Sequence, residues 1–293
     1  MKMILDISVL CLNVLTMITV GMDLEGRHFG IVAQRKGRLI LGLAAPAVVL
    51  PALALGLTRL MHLPPYLSGG ILLLAACPVG DIANFYALLA RANVALSVTV
   101  NTLTCVLSVV TMTIIFEAYH KLLPGEFMFA APALSIALRL TLMILVPVLI
   151  GMGLRRFKPG FVTTYAKTLR NVCIVGLACL LVYVVLNQRT QIAADWQQTA
   201  TAGGAFMVLA MAFGLIFGWA LRLPAHDIVT IGILFAVRNV SLAMVISITL
   251  LNRVEYAAFA SVYFLTEVPL LLGVVAAFRR WWSAPVSSRR GPC

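Results

Sequence analysis

Residues 71–97 read ILLLAACPVGDIANFYALLARANVALS, an apolar run long enough to enter a bilayer that is interrupted at Cys77-Pro78-Val79-Gly80-Asp81 and resumes through Asn84 toward Arg91. Proline removes a backbone donor and glycine loosens a helix, so Pro78 and Gly80 free hydrogen-bonding groups in the middle of an apolar segment. Only surrounding protein or a wet cavity can satisfy them there. Asp81 adds to the argument, because an ionisable group near mid-membrane is costly and faces a pathway or a partner. The stretch reads as one half of a binding site built on a broken helix.

Working outward, the composition sets the class. The 293 residues are 62% hydrophobic and only 11% charged, with a mean hydropathy of +1.03. A soluble domain is about half apolar, so this is an all-α polytopic membrane protein. The net charge of +12 raises nucleic acid as a partner. That reading needs a basic patch on a soluble domain, whereas these charges sit between apolar runs; the lipid bilayer is the expected partner and nucleic acid is not. Cys11, Cys77, Cys105, Cys173, Cys179 and Cys293 show no metal-ligand spacing and read as small packing residues; no metal site and no cofactor are expected. His28, His62, His120 and His226 fall in loops or at span ends, and neither HExxH nor GxSxG occurs, which argues against a membrane-embedded enzyme. No cleavable signal is expected, since the first apolar run lacks a basic lead and a small-residue cleavage site.

About nine apolar segments follow in order, at 4–22, 38–61, 68–90, 93–118, 130–154, 171–187, 202–221, 228–250 and 256–278. Each is near the roughly 20 residues needed to cross the hydrocarbon core. Nothing between them resembles an interdomain linker, so residues 1–293 form one domain, with a first repeat over about 4–118, a second over about 130–278, and a basic tail at 279–293. Loops rich in Lys and Arg stay cytoplasmic. With the N-terminus outside, the inner face collects Arg27, Arg35, Lys36, Arg38, Arg91, Arg155, Arg156, Lys158, Lys167, Arg170, Arg222, Arg279, Arg280, Arg289 and Arg290, against Lys2, Arg59, Lys121, Arg189 and Arg253 outside. The C-terminus is then cytoplasmic, with Trp281 and Trp282 as interfacial anchors. The short loops fit a bacterial inner membrane. The segment GRHFGIVAQRKGR at 26–38 reads as a coupling helix on the inner surface or as a plain basic loop.

Two arginines lie inside apolar runs. Arg139 is near enough to one end of its span to extend its head to the interface. Arg238, in HDIVTIGILFAVRNVSLAMVISITLLNR at 226–253, is different. At 1.5 Å per residue the nearest polar surface is about 15 Å away, too far for that escape. Arg238 must face a cavity or be paired, and Asn239 beside it offers an amide to a ligand, an ion or a helix break. A third intramembrane charge, Glu267, lies in SVYFLTEVPLLLGV at 261–274. Interruptions on spans three and eight are what an inverted-repeat transporter predicts, with two broken helices crossing near the midplane. The repeats are equal if the first has lost its opening helix.

These residues carry a resemblance. CPVGDIANFYALLARANVALSV at 77–98 is similar to the signature of the bile acid:sodium symporter family, in which a cysteine-proline-glycine break leads to a serine-asparagine pair and then to a leucine-alanine-arginine-glycine-asparagine-valine-alanine-leucine-serine run. Gly21-Met22-Asp23-Leu24 resembles the family's glycine-methionine-glycine-leucine, and Arg238-Asn239-Val240-Ser241-Leu242-Ala243 its glutamine-asparagine-serine-glycine-leucine-alanine. The similarity runs from about residue 10 to 278, weakest in spans five to seven. It implies core and panel bundles, two crossing broken helices, and alternating access for small organic anions, in the nine-helix form of the family that begins outside.

The departures bear on coupling. The family's sodium ligands fall, by alignment, on Pro46, Ala83, Ser97, Asn101, Leu234 and Arg238, of which only Ser97 and Asn101 retain a usable oxygen. Sodium needs several oxygen ligands, and a guanidinium in its place repels it. The expected substrate or coupling site is therefore Asp81, Asn84, Ser97, Asn101, Arg238, Asn239 and Glu267. Arg238 is expected to pair with Asp81, Glu267 or an anionic substrate; one carboxyl can hold an exchangeable proton, or the three charges simply pair. Two other functions remain open on the sequence: a receptor or scaffold that keeps the fold without transport, and a metalloid exporter relying on Cys77.

Overall fold

The computed structural model describes residues 2–23, 36–123 and 133–283. Its elements are α1 (Lys2–Asp23), α2 (Lys36–Leu60), α3 (Pro65–Ala76), α4 (Ile82–Leu89), α5 (Val94–Leu122), α6 (Ala133–Leu140), α7 (Val146–Phe157), α8 (Pro159–Asn187), α9 (Arg189–Ala220), α10 (Ala225–Ala236), α11 (Val240–Val245) and α12 (Val254–Ser283). A π-helical turn at Thr141–Leu145 joins α6 to α7, and another at Ile246–Leu250 extends α11. The first lies just ahead of Pro147, whose missing N–H and bulky ring the wider turn accommodates.

Among the described residues these elements make nine crossing segments, with α3–α4, α6–α7 and α10–α11 each composite. Five segments are individually long and apolar enough to cross a membrane: α5, α6–α7, α8, α9 and α12. The protein is an all-α polytopic membrane protein, as its composition requires. Two expected boundaries are corrected. Helix α8 begins at Pro159 and not near 171, and α9 at Arg189 and not near 202. Apolar runs mark where a helix meets lipid, whereas backbone hydrogen bonding continues past them through Lys167, Arg170, Gln191 and Asp195. Single residues, Lys158 and Gln188, then separate neighbouring helices.

The helices sort into two groups. Helix α1 packs chiefly on α7 and α8, forming the panel. Helices α2, α3, α9, α10, α11 and α12 pack on one another as the core. In the panel, a Cβ placed on Gly151 would fall 2.9 Å from the Cα of Gly21, so α1 and α7 cross at a backbone distance only small residues permit.

The core contains one pattern twice. His62-Leu63-Pro64 leads into α3 and Arg222-Leu223-Pro224 into α10, residue for residue 160 positions apart. Both half-helices have 12 residues. His62 and Arg222 have left-handed φ of 47° and 52°, and the following leucines donate to Thr58 O and Gly218 O, each at 3.1 Å. Left-handed residues, Arg91 at 53° and Asn252 at 55°, also precede the long helices α5 and α12. Half-helix, break, second half-helix, left-handed turn and long helix therefore recur, as two repeats predict.

Arg139 is exposed on α6, away from the core. Most of 26–38, together with Ser287, Arg289, Arg290, Cys293 and the side chains of Trp281 and Trp282, lies outside the described residues.

Candidate functional site

The site is built where the two breaks meet. Helix α3 ends at Ala76, and Cys77 and Pro78 leave it extended; α10 ends at Ala236, and Val237 does the same at φ −86°, ψ 115°. The extended pieces cross antiparallel at Val79 and Arg238. Asn239 N–H donates to the Pro78 carbonyl at 2.9 Å, and Gly80 N–H to the Val237 carbonyl at 3.4 Å. Val79 N–H reaches Thr104 Oγ1 of α5 at 3.4 Å. Each break thus supplies partners for groups the other has freed, the condition for irregular backbone at membrane depth. Gly80 permits the approach: a Cβ there would lie 2.6 Å from the Arg238 carbonyl oxygen and 3.4 Å from the Asn239 Cα.

Asparagines then restart the helices. Asn239 Oδ1 accepts from Leu242 N–H at 3.0 Å and Ser241 Oγ at 2.8 Å, capping α11. Asn93 Oδ1 accepts from Leu96 N–H at 3.0 Å, capping α5, while its Nδ2 donates to Asp227 Oδ1 at 2.8 Å and its N–H to Thr230 Oγ1 at 2.9 Å. The end of the first broken span is thereby tied to the start of the second. The Asn93 cap was legible, since asparagine before an apolar run is a helix-start signal. Thr104, Asp227 and Thr230 carried no such signal.

Arg238 is only 4% exposed. Its Nη2 donates to the Cys77 carbonyl at the C-terminal end of α3. Among the described residues its Nε and Nη1 have no hydrogen-bond partner. The residue lines a narrow cleft, with about 20 Å³ of room for water-sized occupants, together with Pro46, Ala47, Cys77, Pro78, Thr104 and Thr111. Pro46 and Arg238, two of the positions assigned to sodium ligands by resemblance, therefore share one cleft. On the other side of the break, Asp81 Oδ1 accepts from Asn101 Nδ2 at 2.7 Å, and Asn84 Oδ1 from Ser97 Oγ at 2.7 Å. Asp81 is exposed, whereas Ser97 and Asn101 are buried. Glu267 is fully buried, and among the described residues neither carboxyl oxygen has a partner.

The structure thus gathers the expected residues into separate sets: Pro78, Gly80, Arg238 and Asn239 at the crossing, Asp81, Asn84, Ser97 and Asn101 beside it, and Glu267 behind it on α12. The expected pairing of Arg238 with Asp81 or Glu267 is corrected. A backbone carbonyl takes the one engaged guanidinium nitrogen, and a side-chain amide takes Asp81, so the two opposite charges are each committed elsewhere. The described ion pair with good geometry is peripheral, Arg170 Nη2 to both oxygens of Asp23 at 2.8 and 2.9 Å. Cys77 and Cys105 are buried free thiols.

Comparison with known proteins agrees with this architecture. The chain is 27% identical over 173 residues to a protein named as an uncharacterized sodium-dependent transporter in Bacillus subtilis (strain 168), covering 59% of this chain and 52% of that one. It is 26% identical over 233 residues to one named as a probable sodium/metabolite cotransporter, chloroplastic, in Arabidopsis thaliana, covering 80% and 57%. A similarly named rice protein is 25% identical over 264 residues, covering 89% and 60%. The chain spans little more than half the length of these curated relatives. The family model described as the Sodium Bile acid symporter family matches residues 9–195, most of the chain and the whole first broken span. With that match and the crossing of two broken helices, the chain belongs to the sodium bile acid symporter family.

Proposed function

We propose that this protein moves a small organic anion across the membrane by alternating access between core and panel, and that the fixed charge of Arg238 stands where the family resemblance puts a sodium ion. The observation that carries the reading is the state of that guanidinium. It is buried at the crossing and lines the cleft, one nitrogen is anchored on a carbonyl, and Nε and Nη1 have no acceptor. Arginine has five N–H donors in a planar fork suited to a carboxylate. A buried cation without a counter-ion is costly, and an anionic substrate removes that cost on binding.

The names of the relatives point to sodium, but this chain's residues favour transport without it. Pro46, Ala83 and Leu234 offer no side-chain oxygen, and Arg238 adds a positive charge. Ser97 and Asn101, the remaining candidates, donate to Asn84 and Asp81 and keep their oxygens, but two side-chain oxygens fall short of the several ligands a sodium ion needs. The orientation that fits the charge distribution has the N-terminus outside and the C-terminus in the cytoplasm of a bacterial cell.

Flux in proteoliposomes tests the reading. Exchange of labelled carboxylates drawn from acetate, pyruvate and malate is expected, unchanged when sodium is replaced by choline. Absence of exchange for every anion would favour a receptor or scaffold; loss of exchange in choline would restore sodium as the coupling ion.

A further inference from the structure

A second buried charge has no place in the anion site. Glu267 lies midway along α12 with no exposed surface and no hydrogen bond to either oxygen. On α4, which packs against α12, the Tyr86 hydroxyl is also buried and, among the described residues, without a hydrogen-bond partner. Tyr263, a helical turn away on α12, donates its hydroxyl to the Ala236 carbonyl at 2.5 Å. Ala236 is the last residue of α10 before the second break. Glu267 is thus flanked by one tyrosine on an arm of the first broken helix and another tethered to the second. These tyrosines are the titratable groups facing it, and among the described residues no basic side chain pairs with it.

An ionised carboxylate without a donor in so dry a place is far costlier than a neutral carboxylic acid, so such a group takes up a proton. We propose that Glu267 is held as a neutral acid in this conformation and is the site at which a coupling proton binds and leaves, so that one proton crosses with each carboxylate. This rests on the transport reading above. The balance is simple for a monocarboxylate such as acetate or pyruvate: one anion and one proton enter together, no bond other than the carboxyl O–H is made or broken, and no net charge moves; a dicarboxylate such as malate would carry one net negative charge. Asp81 is not the carrier, because its carboxylate already accepts the Asn101 amide, a bond that favours the ionised form. Displacement of either broken helix changes what surrounds Glu267, through Tyr86 on one side and the Tyr263–Ala236 tether on the other. Water admitted by that displacement removes the reason for the proton to stay.

Two measurements on the full chain test this. Infrared difference spectra of purified protein in lipid are expected to contain the carbonyl stretch of a protonated carboxylic acid at neutral pH. The band should disappear in Glu267→Gln, persist in Asp81→Asn and shift in frequency in Tyr86→Phe. Its absence from the wild type, or its survival in Glu267→Gln, overturns the proposal whether or not the protein transports. In proteoliposomes, an inward proton gradient should drive at least severalfold accumulation of one of acetate, pyruvate and malate, abolished in Glu267→Gln. Equal accumulation in the variant overturns the proposal; wild-type liposomes that exchange no anion overturn the transport reading and leave the infrared result to decide the proton site.

Discussion

Gly80→Ala is the sharpest perturbation of the crossing. A methyl group there would sit 2.6 Å from the Arg238 carbonyl oxygen, 3.1 Å from its carbon and 3.4 Å from the Asn239 Cα. All three are backbone atoms, so the clash cannot be relieved by a side chain turning aside. The two extended segments must separate, and with them go the hydrogen bonds from Asn239 N–H to Pro78 and from Gly80 N–H to Val237. A buried polar group left without a partner costs about 1–3 kcal/mol, so two lost bonds predict a destabilisation of roughly 2–6 kcal/mol. That corresponds to a fall in Tm on the order of 10 °C. The assay is thermal unfolding in detergent against Gly56→Ala and Gly273→Ala, where nothing lies within 4 Å of the added methyl. Those controls remove helical glycines and should be neutral or stabilising by about 0.5–1 kcal/mol. If Gly80→Ala unfolds with the controls, the breaks do not hold each other and the account of the site fails.

Three further outcomes follow from particular contacts. Arg238→Gln should destabilise the protein by no more than about 1 kcal/mol, since the cost of an uncompensated buried cation goes with the Cys77 contact, while abolishing anion exchange; a loss of roughly 3–5 kcal/mol would instead reveal a dry ion pair. Asn93→Ala removes the α5 cap and leaves Asp227 without its amide donor, so it should cost about 1–2 kcal/mol in the same unfolding assay, and an unchanged Tm would refute the tie between the spans. Cysteines placed at Asp195 and Ser287, in a background lacking the exposed Cys11 and Cys179, should react with an impermeant reagent from opposite sides of the membrane; labelling from one side only would refute the orientation.

The fold was legible because it is written in local chemistry. Proline and glycine in a long apolar run, with a carboxylate beside them, cannot form an uninterrupted lipid-facing helix, and that alone located the first break. Arg238 located the second by distance from any polar surface. The helix starts at Pro159 and Arg189 were not legible, since polar residues do not stop a helix that has left the hydrocarbon core. Side-chain partnering was least legible. Three charges at similar depth invite an ion pair on paper, yet a 20-residue separation in sequence does not reveal that Asn101 faces Asp81. Nor does sequence disclose that the freed Cys77 carbonyl faces Arg238, because that carbonyl is available only once the other helix breaks at the same place.

On the proposed transport reading, the Cys77 contact also bears on coupling. Carbonyls at the end of a half-helix carry the negative end of its dipole, and a bound cation or a basic side chain stabilises them. A sodium ion does so reversibly, so its binding and release can be tied to the passage of substrate. Arg238 is covalently part of the chain and remains charged at any physiological pH. The crossing is therefore compensated in every step of the cycle and can attract an anion without first binding an ion. A fixed charge cannot transmit an ion gradient, because its occupancy never changes. On that reading any gradient that drives uptake must act through a group whose charge does change, and of the carboxyls Asp81 and Glu267, the first accepts the Asn101 amide while the second is sealed and, among the described residues, without a partner. On the proposed transport reading, an arginine at a position that the resemblance gives to a sodium ligand leaves the demand for a reversible charge to the carboxyl of α12.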